Sequence, residues 1–140
     1  MKKSGKLNPR KVASYIKQLI EALIYLRDNL VVHRDLKLAN LFVSKDSGIK
    51  LGDFGLACQL AHPEQKRKSI CGTPNYLAPE MLCVEGHNFG VDLWAIGVLI
   101  YAMLLGKPPF ETMNLKMTYN RIQECMYMFP PDKDISLNAK

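Results

Sequence analysis

The sequence predicts a mainly α-helical domain carrying one small β-hairpin, and three observations lead there. Apolar residues recur at three and four from Val12 to Ile24, the run from Leu93 to Leu105 is apolar on every side, and Asp46-Ser47-Gly48 places a turn between two short apolar stretches. With 140 residues and 48% hydrophobic content, the chain is long enough for one core and reads as one folded unit.

Taken in order, Asn8 can cap a first helix with Pro9 in its opening turn, where a missing N–H costs nothing. Val12, Tyr15, Ile16, Leu19, Ile20, Leu23 and Ile24 form its apolar face, and the helix should end near Asp28-Asn29. Leu30, Val31 and Val32 extend into a loop at His33, and Leu41-Phe42-Val43 leaves that loop as a strand. Ile49-Lys50-Leu51 returns as its hairpin partner, delivering Asp53 beside Asp35. From Gln59 to Ser69 the polar and basic composition reads as a surface loop. Pro74 and Pro79 keep the next segment irregular before a short helix from Glu80 to Cys83. The stretch Val91–Leu105 should be a central helix stopped by Gly106. Asn114 can cap a last amphipathic helix through Glu124, ahead of Pro130-Pro131.

Composition narrows the function classes. The longest apolar run, at 13 residues, is too short for a membrane span. No stretch reads as a signal peptide, so an intracellular protein of the cytoplasm or nucleus is expected. Cys58, Cys71, Cys83 and Cys125 lack metal-ligand spacing and are read as free thiols. The net charge of +6 is scattered, without the aromatic stripe or motif of a nucleic-acid binder; solvated surface is the default reading and an acidic protein substrate the functional alternative.

The stretch His33-Arg34-Asp35-Leu36-Lys37-Leu38-Ala39-Asn40, followed by Asp53-Phe54-Gly55, carries the chemistry. Magnesium takes oxygen ligands, usually one or two protein carboxylates completed by phosphate and water, and Asn40 and Asp53 meet that need. Asp35 is then free to orient a hydroxyl and accept its proton, while Lys37 neutralises charge on a transferring phosphoryl group. His33 reads as structural, a ring buried under the loop.

In that order and spacing these residues make the protein-kinase signature. The chain from about Asn8 to Asn138 resembles the C-terminal lobe of a eukaryotic protein kinase, and Lys37 resembles the serine/threonine branch. The segments His33 to Phe42, Cys71-Gly72-Thr73-Pro74-Asn75-Tyr76-Leu77-Ala78-Pro79-Glu80 and Gly106-Lys107-Pro108-Pro109-Phe110-Glu111-Thr112 are similar to polo-like kinases, as are Leu115-Lys116, Thr118-Tyr119 and Arg121-Ile122; Aurora-type kinases are next nearest. The resemblance implies ATP and Mg2+ as cofactors, Asp35 as catalytic base, Lys37 on the γ-phosphate, and Asn40 and Asp53 on magnesium. It implies Phe42 as an apolar floor under adenine, a plain core aromatic being the competing reading. Thr73 matches a position that bonds the catalytic loop, and Asp92 one that ties down its backbone. Ser69 stands where the family carries an activating phosphate, which Arg34 could hold bidentately.

The resemblance also sets out what is expected to be missing. Upstream of His33 there is a single glycine, Gly5, and no strand-lysine motif, so residues 1–140 read as a partial kinase domain lacking its N-lobe. The late helices are expected to be absent as well, with Ser136 to Lys140 reading as a helix start, and with them the arginine that would pair Glu80. Arg121 lies elsewhere. A buried Glu80 without a partner would be destabilising. Gly90 and Met113 depart from the polo pattern. A protein serine/threonine kinase, inactive as an isolated chain, is therefore the first reading. A non-catalytic kinase-like fragment that binds a protein through Asn114 to Glu124 is the alternative.

Overall fold

The structure, a computed structural model, describes residues 7–46, 48–83 and 85–131. Helix α1 spans Pro9–Asp28, and the Asn8 side chain accepts from Arg10 N over 2.9 Å, which caps the first turn. Leu30, at φ 58°, turns the chain out of the helix, and its N–H bonds Arg27 O at 2.9 Å. Strand β1 (Val31–Val32) follows, then the loop carrying His33 to Lys37 and a 3-10 turn at Leu38–Asn40.

Strands β2 (Leu41–Val43) and β3 (Ile49–Leu51) form the antiparallel hairpin, with Leu41 opposite Leu51 and Val43 opposite Ile49. Ser44 N closes it on Gly48 O at 2.9 Å. Ser47, in the middle of the expected turn, lies outside the described residues, as does the helix start expected from Ser136 to Lys140. A second antiparallel pair joins β1 to β4 (Cys58–Gln59), Val31 facing Gln59 and Val32 facing Cys58. The stretch expected as one surface loop is thus tied down at both ends, by β4 and by a bridge between Arg67 and His87. Such pairings have no local sequence signal, because each strand is two residues or fewer and its partner is distant.

Both proline-started segments, Pro74–Tyr76 and Pro79–Leu82, are 3-10 turns, so the short helix expected at Glu80 is tighter than an α-helix and starts at Pro79. Helix α2 (Gly90–Leu105) ends at Gly106, whose φ of 86° is the left-handed conformation that favours glycine. Helix α3 (Leu115–Gln123) is capped by Asn114 Oδ1, which accepts from Lys116 N and Met117 N. It stops well before Pro130. Cys125 takes φ 50°, Cys125 N bonds Ile122 O at 3.1 Å and Met126 N bonds Arg121 O at 2.8 Å, a Schellman closure without glycine.

Helix α2 is the hub. Ala95, Ile96, Leu99 and Met103 pack with Val12, Ile16 and Leu19 of α1 and with Leu36 of the loop. Val91 joins Val32, Leu60, Leu77 and Met81, and Val98 joins Phe110 and Ile122. Along α1 only the first part of the apolar face is covered. Ile20 and Ile24 stay exposed and, with Leu93, line a groove of about 230 Å³. No helix of the described residues is long and apolar enough to cross a membrane. All four cysteines are free thiols.

Candidate active site

The site is built on the loop between β1 and β2. Asp92, buried in the first turn of α2, accepts His33 N at Oδ2 (2.8 Å) and Arg34 N at Oδ1 (2.9 Å). Two otherwise orphaned backbone donors are satisfied this way, and Arg34 is held at φ 68°, a conformation unusual for a side-chain-bearing residue. Burial pushes the Asp92 carboxyl above the usual carboxylate range, the two N–H bonds and the charge of Arg34 pulling less strongly the other way.

His33 is fully buried and takes no part in the open face of the site. Its Nδ1 accepts from Asp35 N at 3.3 Å, so the ring proton sits on Nε2, which donates to Gly52 O at 3.2 Å. Gly52 N in turn donates to Asn40 O at 3.0 Å. Gly52, not singled out from the sequence, therefore stitches the Asp53 segment to both His33 and Asn40. The Phe54 ring meets His33 edge-on at 4.8 Å between centroids.

Asp35 is gripped on both oxygens. Thr73 Oγ1 donates to Oδ1 at 2.8 Å, Lys37 Nζ to Oδ2 at 2.7 Å, and Asn40 Nδ2 to Oδ2 at 3.3 Å as well as to the Asp35 carbonyl at 2.9 Å. Burial raises the Asp35 carboxyl, but the bonds from Lys37, Thr73 and Asn40 and the Lys37 charge together outweigh it and hold the group below its ordinary range. An ionised carboxylate, an ammonium bonded also to Thr73 Oγ1 at 3.1 Å, and an amide thus share one small space.

Asn40 spends its amide nitrogen on Asp35, which leaves its Oδ1 without a protein donor among the described residues. Asp53, exposed and at φ 59°, uses Oδ1 to accept Gly55 N at 3.3 Å and leaves Oδ2 open. One amide oxygen and one carboxylate oxygen fit magnesium, whose shell is completed by phosphate and water. No cluster of three or more His, Cys, Asp or Glu side chains that could hold a metal occurs among the described residues.

Phe42 is 57% exposed, which overturns the plain core reading. Its ring lies over Gly52, where an added Cβ would stand 2.8 Å from Phe42 Cε2. Ser69 is exposed and accepts from Arg34 Nη1 at 2.8 Å, while Arg34 Nε donates to Leu56 O at 2.8 Å. Glu80 is half-buried, not buried as expected, and has no hydrogen bond or ion pair among the described residues. Water reaches its carboxylate, which removes most of the desolvation cost expected for an unpaired buried acid. Tyr76 was also not singled out. Burial raises the pKa of its phenol, which is bonded to the Leu38 backbone beneath the loop.

The β1–β2 loop and the segment after β3 thus carry an ionised carboxylate, a lysine and two open oxygen acceptors, and the whole of residues 1–140 matches the protein kinase domain family, to which this chain belongs. Within it the chain is similar to serine/threonine-protein kinase polo of Drosophila melanogaster, 51% identical over 83% of this chain and 20% of that protein. It is likewise similar to serine/threonine-protein kinase PLK1 of Xenopus laevis (52%, covering 83% and 19%) and PLK2 of Mus musculus (49%, covering 89% and 18%). The chain spans about a fifth of the length of these relatives.

Proposed function

We propose that this chain forms the catalytic-loop lobe of a protein serine/threonine kinase, which moves the γ-phosphoryl group of ATP to Ser or Thr hydroxyls of protein substrates. The observation that carries the reading is the double grip on Asp35, which keeps it ionised and aimed. Asp35 orients the substrate hydroxyl and accepts its proton, and Lys37 turns from Asp35 to the γ-phosphate. Asn40 and Asp53 would hold Mg2+, which would supply positive charge to offset that of the phosphates. Phe42 offers an apolar face to adenine. Thr73 and Asp92 position the loop, and a phosphate on Ser69 would pair with Arg34 and fix it. The net charge of +6 favours acidic protein substrates inside the cell over nucleic acid.

Because the described groups address the γ-phosphate and the metal, we propose that ATP is clasped jointly with segments beyond them, and that the 140-residue chain alone transfers slowly or not at all. The test is transfer of radiolabel from ATP to casein by the full protein containing this chain, beside Asp35→Asn. Loss of a general base lowers the rate by about 10²–10⁴-fold. Equal rates for the two proteins would sink the reading. A second reading, a non-catalytic protein-binding module, is favoured by the exposed Met113, Leu115 and Met117 around α3. It predicts no transfer by the full protein and a stable complex that Met117→Glu breaks.

A further inference from the structure

The β2–β3 hairpin has an outer edge with no strand beside it. Ser44 N bonds Gly48 O at 2.9 Å near the turn, and Gly52 N bonds Asn40 O at 3.0 Å at the other end. In an antiparallel ladder bonded residues alternate with residues whose polar groups turn away, so Ile49, next to Gly48, directs its N–H outward. A backbone donor at a half-buried residue needs an acceptor from elsewhere. For Ile49 that acceptor is Gln18 of α1, whose Oε1 takes the N–H at 3.0 Å.

The Gln18 amide is oriented for this. Its Nε2 donates to Ser14 O, one turn back on α1, at 3.2 Å. With nitrogen and oxygen exchanged, two oxygens would meet at Ser14 and two donors at Ile49, so only one setting satisfies both sides. The same oxygen lies against Gly48, where an added Cβ would stand 3.4 Å from it. Among the described residues this is the one hydrogen bond that joins α1 to the hairpin. The rest of that contact is apolar, with Leu41, Ile49 and Leu51 packed against the cluster that holds Val12, Ile16 and Leu19. Apolar burial sets no direction, so the bond from Gln18 is what fixes where along α1 strand β3 sits.

What β3 carries is the nucleotide side of the site. Lys50 stands opposite Phe42, Gly52 lies under the Phe42 ring, and Asp53 comes next in the chain. The loop that holds Asp35 has other anchors, Asp92 on the His33 and Arg34 N–H groups and Thr73 on the Asp35 carboxylate. We infer that Gln18 is a positioning residue for ATP and its metal: through Ile49 it sets the hairpin, and with it the Phe42 ring and the Asp53 carboxylate, while Asp35 keeps its own anchors. This deepens, and rests on, the reading of Phe42 and Asp53 as the adenine and magnesium contacts.

The experiment compares the full protein with its Gln18→Met and Gln18→Glu variants. Methionine keeps the length and the apolar stem but removes the acceptor. Glutamate keeps an acceptor for Ile49 N and loses the donor to Ser14 O. In Gln18→Met the Ile49 amide should exchange with deuterium several-fold faster, as expected once its hydrogen bond is gone. The KM for ATP should rise about fivefold, the weight of one hydrogen bond, while kcat at saturating ATP and Mg2+ stays within about twofold. The Mg2+ concentration giving half the maximal rate should rise together with KM. Gln18→Glu should recover most of the amide protection and most of the KM. A merely structural role would instead lower the folded fraction, and so kcat, with KM in place. Either an unchanged KM for ATP in Gln18→Met or an Ile49 amide as protected as in the unmutated protein would overturn the assignment. Absence of transfer by the unmutated full protein would sink the kinase reading and this role with it, whereas transfer with an unmoved KM would sink this role alone.

Discussion

Against the burial that raises Asp35, Lys37 lowers it most and Thr73 next, the Thr73 hydroxyl being the donor on Oδ1 while Lys37 and Asn40 share Oδ2. Thr73→Val keeps the shape and removes that donor. The Asp35 pKa should rise toward the ordinary carboxylate value, moving the acid limb of the pH–rate profile to higher pH. Transfer by the full protein should fall about tenfold in kcat/KM, the equivalent of one hydrogen bond near 1.4 kcal/mol. An acid limb that stays in place would show that Thr73 does not act through Asp35. That Asp35, Lys37 and Asn40 share one loop was legible in the sequence from their spacing, and the structure bonds the three side chains together. The backbone of the site was not legible. Arg34 and Asp53 adopt positive φ without being glycine, the first with its N–H on the distant Asp92 and the second with its carboxylate on the nearby Gly55 N–H.

At the scale of elements, the hairpin sets the site. Gly52 follows β3 directly, and its contact with Phe42 couples the strand to the adenine face we propose. Gly52→Ala should push the Phe42 ring aside and weaken ATP binding by the full protein several-fold while leaving its circular dichroism unchanged; unchanged affinity would separate Phe42 from the nucleotide. Helix α2 makes the matching demand from below. In Asp92→Asn only one oxygen remains for two N–H groups, so one backbone donor is left unmet at a cost of about 1–3 kcal/mol in urea unfolding. The caps at Asn8, Gly106 and Asn114 and the hairpin partners were readable because they are local. The pairing of β1 with β4, the Arg67–His87 bridge and the Schellman turn at Cys125 were not, since each depends on contacts distant in sequence or on a backbone conformation that its residue type does not announce.

Across the whole molecule, three buried clusters meet on α2, so the response to pH is set by which titrating groups those clusters enclose. Asp35 lies below its ordinary range, so its contribution is present at neutral pH and lost only as pH falls through that lowered value. Asp92 has the opposite sign. Its raised value means stability that is full in acid and lost as pH rises through it. Neither changes between pH 7 and 5 as directly as His87, whose ring burial and the Arg34 charge keep neutral in the fold. The unfolded chain takes up that proton as pH drops below about 6.5, while the folded chain resists, so stability drains away over this window. The urea midpoint should therefore be lower at pH 5 than at pH 7, and His87→Gln should flatten that slope whatever it does to the midpoint itself. A slope equally steep in the variant would assign the acid sensitivity to other groups and leave His87 an inert core residue.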